Sequence, residues 1–352
     1  MKYHPITDTI DLQASLRDIL DTQEFKSVYP TLSEYLDSFE QQGIPAKNDL
    51  KQLLNFLVTG LSNAKGTQSR FRNEAERFTL FCWHERGKSV LDTKLEDIKL
   101  YIDWIWSPPK TLIADTTISS RFKYRSNSDI RVVNPEWRPF VHRAPKANRK
   151  IESFIAPGKA SSIKHAYKLS QTSLRNSYAS LNVFFKWLID AELVMRNYLA
   201  DAKKNCKYLT KGKIYQPPHT FDDEVWDTFI QSLTDAANEN PKFEIHRFVV
   251  LSLKVLFLRI SELSSRDYYT PLFNHFRPDP SNEGWVLHVV GKGKKERVVT
   301  VPDSYIENVL GRYRESMGLS PLPRIDEDTP ILPSMKTGKA LKQDSVNNIV
   351  AY

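Results

Sequence analysis

A chain of 352 residues is long enough for two or three domains with cores of their own. Fifty Lys and Arg against 42 Asp and Glu leave a formal charge of +8, which favours a polyanionic partner. Cys82 and Cys206 are the only cysteines and lie far apart, which argues against a disulfide framework and a cysteine-rich zinc site. No apolar run approaches the roughly 20 residues of a membrane span. The first residues are polar and lack a signal-peptide core, so the expected location is the cytoplasm.

Residues 1–64 read as an N-terminal extension of short helices. Leu12, Leu16, Ile19 and Leu20 share one face, and Leu50, Leu53, Leu54, Leu57 and Val58 form another after Pro45. From residue 65 the chain turns basic. Phe71, Ala75, Phe78 and Phe81 keep helical spacing, with Arg70, Arg72 and Arg77 interleaved; a helix over Leu95–Trp106 then stops before Pro108. Residues 108–162 read as an irregular basic insertion that includes Arg121, Arg125, Arg131 and Arg138. Two readings stay open for it, a segment lying along DNA and a flexible surface loop, with Trp137 and Phe140 marking a part that packs.

The stretch from Ser170 to Leu193 has the clearest amphipathic pattern in the chain. Leu174, Tyr178, Leu181, Phe185 and Leu188 form its buried stripe, while Lys168, Arg175 and Lys186 lie on or beside it. Exposed cations of this kind neutralise phosphates without reading sequence, although basic helix faces are also often merely solvated. Residues 205–218 read as a linker ending in Pro217-Pro218. The next domain is expected to run from 219 to 352, opening on a helix capped by Thr220 that passes through Trp226 and Phe229.

The densest signal lies between Phe248 and Pro302. The run FVVLSLKVLFLRISEL predicts one buried helix carrying Arg259 and Glu262 on a common face, three residues apart, with Glu262 as the partner of the arginine. Trp285–Val290 and Arg297–Val301 then predict a hairpin whose tip is Gly291-Lys292-Gly293-Lys294-Lys295.

The sequence Leu258-Arg259-Ile260-Ser261-Glu262-Leu263, followed by the Gly-Lys-Gly-Lys-Lys hairpin, resembles the tyrosine recombinases, also called phage integrases. One departure is visible: Phe257 stands where that family has glycine two residues before its arginine.

The resemblance implies a mainly α protein with a small antiparallel β-sheet. Residues 65–204 would be a helical, SAM-like core-binding domain, and 219–352 an α+β integrase-type catalytic domain, incomplete at its C-terminus. It also implies double-stranded DNA as partner, self-association into a dimer or tetramer on DNA, and no metal or nucleotide cofactor. By the same resemblance Arg259 would hold the scissile phosphate and Lys292 would be the general acid, with Lys294 the alternative. Glu262 would orient Arg259, while Arg70, Arg72, Lys168, Arg175, Lys186, Lys294, Lys295 and Arg297 would contact DNA.

The family's His-x-x-Arg motif and the nucleophilic tyrosine that follows it do not occur in these 352 residues. The chain is therefore expected not to cleave DNA by itself. It would be part of a site-specific recombinase that acts through a 3′-phosphotyrosyl intermediate or, alternatively, an inactive DNA-binding regulator or an interfering truncated product on the same scaffold.

Overall fold

The computed structural model of the chain describes residues 2–61, 65–115, 118, 120–141, 167, 169–210, 220–281, 284–291 and 293–351. These are mainly helical, with two small antiparallel sheets and one short parallel ladder. The chain divides into two units, 1–214 and 215–352. None of the helices searched among the described residues is long and apolar enough to cross a membrane.

In the first unit, α1 (Gln13–Ile19), α2 (Gln23–Val28), α3 (Pro30–Glu40) and α4 (Ala46–Thr59) precede the long α5 (Lys65–Arg86), α6 (Leu95–Trp106) and α7 (Gln171–Asp190). Pro30 opens α3 at a position where its missing N–H costs nothing. Ser170 caps α7, its hydroxyl accepting from the Ser173 N–H at 3.0 Å. The apolar stripe of α7 is buried at Leu174, Tyr178, Leu181, Phe185 and Leu188, and Phe185 meets Phe78 of α5 edge-on at 5.6 Å. Each such side chain contributes roughly 1.5–3 kcal/mol on burial. One continuous apolar cluster runs from Tyr3 to Ala202, so the N-terminal helices and the later ones share a core.

Part of the basic insertion corrects the expectation of an irregular segment. Ile113–Ala114 (β1) pairs in parallel with Phe140–Val141 (β4), and Phe122–Tyr124 (β2) pairs antiparallel with Arg131–Val133 (β3). The cause is a set of buried ion pairs that tie these strands to the N-terminal segment. Arg131 donates to both carboxylate oxygens of Asp8, at 2.8 and 2.6 Å, and Tyr29 donates to the same group at 2.9 Å. Arg121 pairs with Glu76 of α5 and donates to the Thr7 carbonyl at 2.8 Å. All four charged groups are buried. Residues 142–166 of the insertion lie outside the described residues.

In the second unit, α9 (Asp223–Glu239) follows the short α8 (Leu199–Lys204) of the first unit in sequence. Its cap is Asp222 rather than Thr220, because the Asp222 carboxylate accepts from the Val225 N–H at 2.8 Å. Helix α10 (Glu244–Val255) buries Phe248, Val249, Leu251 and Ser252. The expected continuation through Arg259 does not form. Phe257 adopts φ +49, a left-handed conformation that costs a non-glycine residue roughly 1–2 kcal/mol. The chain turns there, and a separate single turn, α11 (Ile260–Leu263), begins after Arg259. Arg259 therefore has extended backbone, φ −84 and ψ 148, just before that turn, and does not share a helix face with Glu262.

Phe276–Pro278 (β5), Trp285–Val290 (β6) and Glu296–Val301 (β7) form an antiparallel sheet in that order, with Trp285 opposite Val301 and Val290 opposite Glu296. Leu287, Val289 and Val301 face the core. The chain then winds through a turn, α12 (Asp303–Tyr305), a π-helical segment over Ile306–Gly311, and α13 (Arg312–Ser316). Arg312 donates to Glu244 at 2.8 Å, and the buried Arg314 makes a two-point pair with Glu327 at 2.9 Å. The final helix, α14 (Gln343–Ala351), packs against α10 and α11.

Candidate functional site

The corner between α10 and α11 and the root of the β6–β7 hairpin are built around one buried carboxylate. Glu262 has four donors. One oxygen accepts from the Arg259 backbone N–H at 2.8 Å and from Arg297 Nη2 at 2.9 Å. The other accepts from Arg259 Nη1 at 3.0 Å and from Arg297 Nε at 3.4 Å. Burial pushes the Glu262 carboxyl up, but the hydrogen bonds from Arg297 and Arg259 outweigh it and hold the group below the usual range, so it is ionised at neutral pH.

The two arginines are placed differently from the acid. The Arg259 side chain is 65% exposed while that of Glu262 is fully buried. Arg259 commits Nη1 to Glu262, and neither its Nε nor its Nη2 bonds to a described residue. Arg297 is more enclosed: it donates twice to Glu262 and once to the Phe257 carbonyl at 3.2 Å. Arg297 thus braces the corner, and Arg259 presents the free edge of its planar fork to solvent, a geometry suited to an oxyanion.

The hairpin closes over this corner at Gly291, whose N–H donates to the Lys295 carbonyl at 2.7 Å. A side chain at Gly291 would place its Cβ 3.2 Å from Glu262 Oε1 and 3.8 Å from Arg259 Nη1, so only glycine fits without displacing the pair. At the tip, Gly293 and Lys294 are both left-handed, φ +77 and +59, the pattern of a tight hairpin turn. Lys294 and Lys295 are exposed, and the Lys294 ammonium lies 5.6 Å from the Tyr268 ring centre. Lys292 lies outside the described residues.

Arg266 is part of this site and carries no signal in the sequence. Its guanidinium donates to the Val290 carbonyl and to Tyr268 Oη at 2.9 Å, and packs over Tyr268 and Tyr269. It thereby fixes the hairpin root to the segment after α11. The contact depends on a strand more than twenty residues away, which no local spacing predicts.

The described cations expected on the first unit differ in exposure and in their partners. Arg70 is exposed on α5, its guanidinium 5.0 Å from the Phe71 ring centre. Arg72 is half-buried and donates to the Asp8 carbonyl at 3.0 Å, so it holds the N-terminal segment. Arg175 and Lys186 are exposed on α7. Their eleven-residue separation is close to three turns, which puts them on one helix face. Lys168 lies outside the described residues. Among the described residues no three His, Cys, Asp or Glu side chains come together to hold a metal ion.

No family model matches the chain, and no curated protein matches it. Among solved structures, the XerH site-specific recombinase bound to difH substrate, in a pre-cleavage complex, aligns with 86% of this chain and 78% of that one. The TM-score is 0.37 and the identity 15%. A likeness at this level leaves the function to be argued from the residues of the chain itself.

Proposed function

We propose that the protein is a recombinase-like DNA-binding protein and that Arg259 grips a phosphate of double-stranded DNA. The observation that carries this reading is the inside-out ion pair: a fully buried Glu262 anchors an arginine whose remaining donors face solvent. A carboxylate with four protein donors has no lone pair aimed outward, so it orients the arginine and does not compete with an incoming anion. Arg259 then offers parallel N–H donors to two non-bridging oxygens, with its entropy largely lost in advance.

In this reading Lys294 and Lys295 meet the flanking backbone from the hairpin tip, and Arg70, Arg175 and Lys186 contribute phosphate contacts on the first unit. Lys292, by its place in the Gly-Lys-Gly-Lys-Lys tip, is the general acid for a departing 5′-oxygen in a recombination reaction, acting in the cytoplasm within a dimer or tetramer. Binding, phosphate orientation and this proton donation are what the proposal assigns to the chain; strand cleavage by the chain alone is not.

Fluorescence anisotropy with a labelled duplex of arbitrary sequence tests it. Affinity should fall steeply as salt rises from about 50 to 200 mM, because neutralised phosphates release counterions. Arg259→Ala should weaken binding by about tenfold at every sequence and lower the salt slope by about one. Salt-independent binding, or an Arg259→Ala variant that matches the parent, would remove the basis of the proposal.

A further inference from the structure

Phe257 supplies a side chain that the fold does not use. Its backbone is left-handed, its carbonyl receives Arg297 Nη2 at 3.2 Å, and the residue is 82% exposed. Glycine would present the same carbonyl in the same place without the steric opposition that a Cβ meets at positive φ. The benzyl group therefore works against the local backbone and recovers nothing by burial. Its neighbours Leu256 and Leu258 are buried, so the ring is turned out between two anchored residues. No other aromatic side chain described in the second unit is as exposed.

Two residues further on stands Arg259, its fork also open to solvent. The Cα atoms of residues two apart lie within about 7 Å of each other. An exposed ring two residues from an exposed guanidinium supplies what the two parts of a nucleotide need, a flat surface for a base and a cation for a phosphate. We propose that Phe257 is a base-stacking residue: its ring receives an unpaired nucleobase of the strand whose phosphate Arg259 holds. The inference rests on the phosphate-binding reading of Arg259 and adds to it a preference for DNA in which a base is already out of the stack. Paired bases are occupied by their neighbours, so the ring gains little from an intact duplex, whereas an unpaired base offers its whole face.

The test uses the full chain with two probes, a duplex and the same duplex carrying a central mismatched bubble that contains a fluorescent adenine analogue. The parent protein should bind the bubble more tightly than the duplex and quench the analogue. Phe257→Gly and Phe257→Leu should each weaken bubble binding by about five- to a hundredfold and abolish the quench, with duplex affinity held within about twofold. Phe257→Tyr should retain both. The glycine variant relieves the left-handed strain, so its thermal midpoint should rise, which separates lost stacking from lost folding.

Bubble affinity and quenching that survive Phe257→Gly would overturn the inference. So would an equal loss on both probes that accompanies loss of self-association, because the ring would then belong to a contact between copies. If the parent binds neither probe, the Arg259 reading falls and this one with it. If binding depends on Arg259 while the Phe257 variants behave like the parent, stacking alone is refuted.

Discussion

Both units bury carboxylates against arginines, and both enclose some pairs completely, Glu244 with Arg247 among them in the second unit, but the pairs of Asp8 and Glu76 and that of Glu262 end oppositely. In the first unit Asp8 and Arg131 are both buried, as are Glu76 and Arg121, and the guanidiniums are turned inward onto carboxylates and a carbonyl. In the second, Glu262 is buried while Arg259 is turned out. Among the described pairs made to a buried carboxylate, none leaves its arginine more exposed; Arg297 beside the same Glu262 reaches 38%, Arg312 beside Glu244 33% and Arg86 beside Asp97 31%. The contrast separates two uses of one pair of residue types. When both charges are enclosed, the pair fixes a fold and is invisible to ligands. When only the acid is enclosed, the pair is a mount for a cation.

The largest effect should come from breaking the enclosed kind. Asp8→Ala leaves Arg131 buried without its carboxylate, and urea denaturation should show a loss of about 3–5 kcal/mol. DNA affinity of the protein that remains folded should be unchanged; a loss of affinity without a loss of stability would erase the distinction drawn between the two kinds of pair.

Glu262→Gln should come next, costing about 1.5–3 kcal/mol through weakened bonds to two guanidiniums. The pH dependence adds a second reading of the same group. Its folded pKa lies below the ordinary 4.5, so the stability it contributes is fully present above that value and is lost as pH falls through the folded one. Stability measured across the acid limb should lose this component in the glutamine variant.

Arg259→Ala should show the reverse of Asp8→Ala. Stability should move by less than about 1 kcal/mol, because the side chain is exposed, while anisotropy should report about a tenfold loss of DNA affinity, equivalent to about 1.4 kcal/mol. Smallest is Gly291→Ala. Its new Cβ would lie 3.2 Å from Glu262 Oε1, and the crowding should cost about 1 kcal/mol. Calorimetry would detect it as a lower midpoint; an unchanged midpoint would mean that the hairpin root yields freely.

Periodic features of the chain were legible in its sequence. The stripes of α4, α5 and α7 follow from apolar residues every three or four positions, and the hairpin follows from β-rich runs on either side of a Gly-Lys-Gly tip. The end of α10 was not legible. Ser252 to Ile260 contains neither glycine nor proline, and the turn at Phe257 is supported by a tertiary contact, Arg297 reaching its carbonyl from β7. Charge is legible only in part for a related reason. Arg121 and Arg131 sit in a basic stretch for which a segment along DNA and a surface loop both stay open, and their partners Glu76 and Asp8 lie 45 and 123 residues earlier. Arg72 and Arg297, expected on DNA, each have donors engaged within the protein through contacts that local spacing does not reveal. Net charge says how many cations a chain has, while only the fold says which of them have already been neutralised.

The π-helical segment over Ile306–Gly311 bears on which changes of chain length this protein can accept. Such a segment is an α-helix with one surplus residue accommodated in a widened turn. Deleting Asn308 would restore the regular winding and leave the residues after it close to their present places, because the widened turn absorbs the surplus locally. Arg312 would keep Glu244 and Arg314 would keep Glu327, and the loss would fall on Arg247, which would give up the Asn308 carbonyl that it meets at 3.0 Å. The surplus residue is therefore held by one arginine rather than three. A homologue one residue shorter here should keep Glu244 and Glu327 where they are, with the change confined to the partner of Arg247.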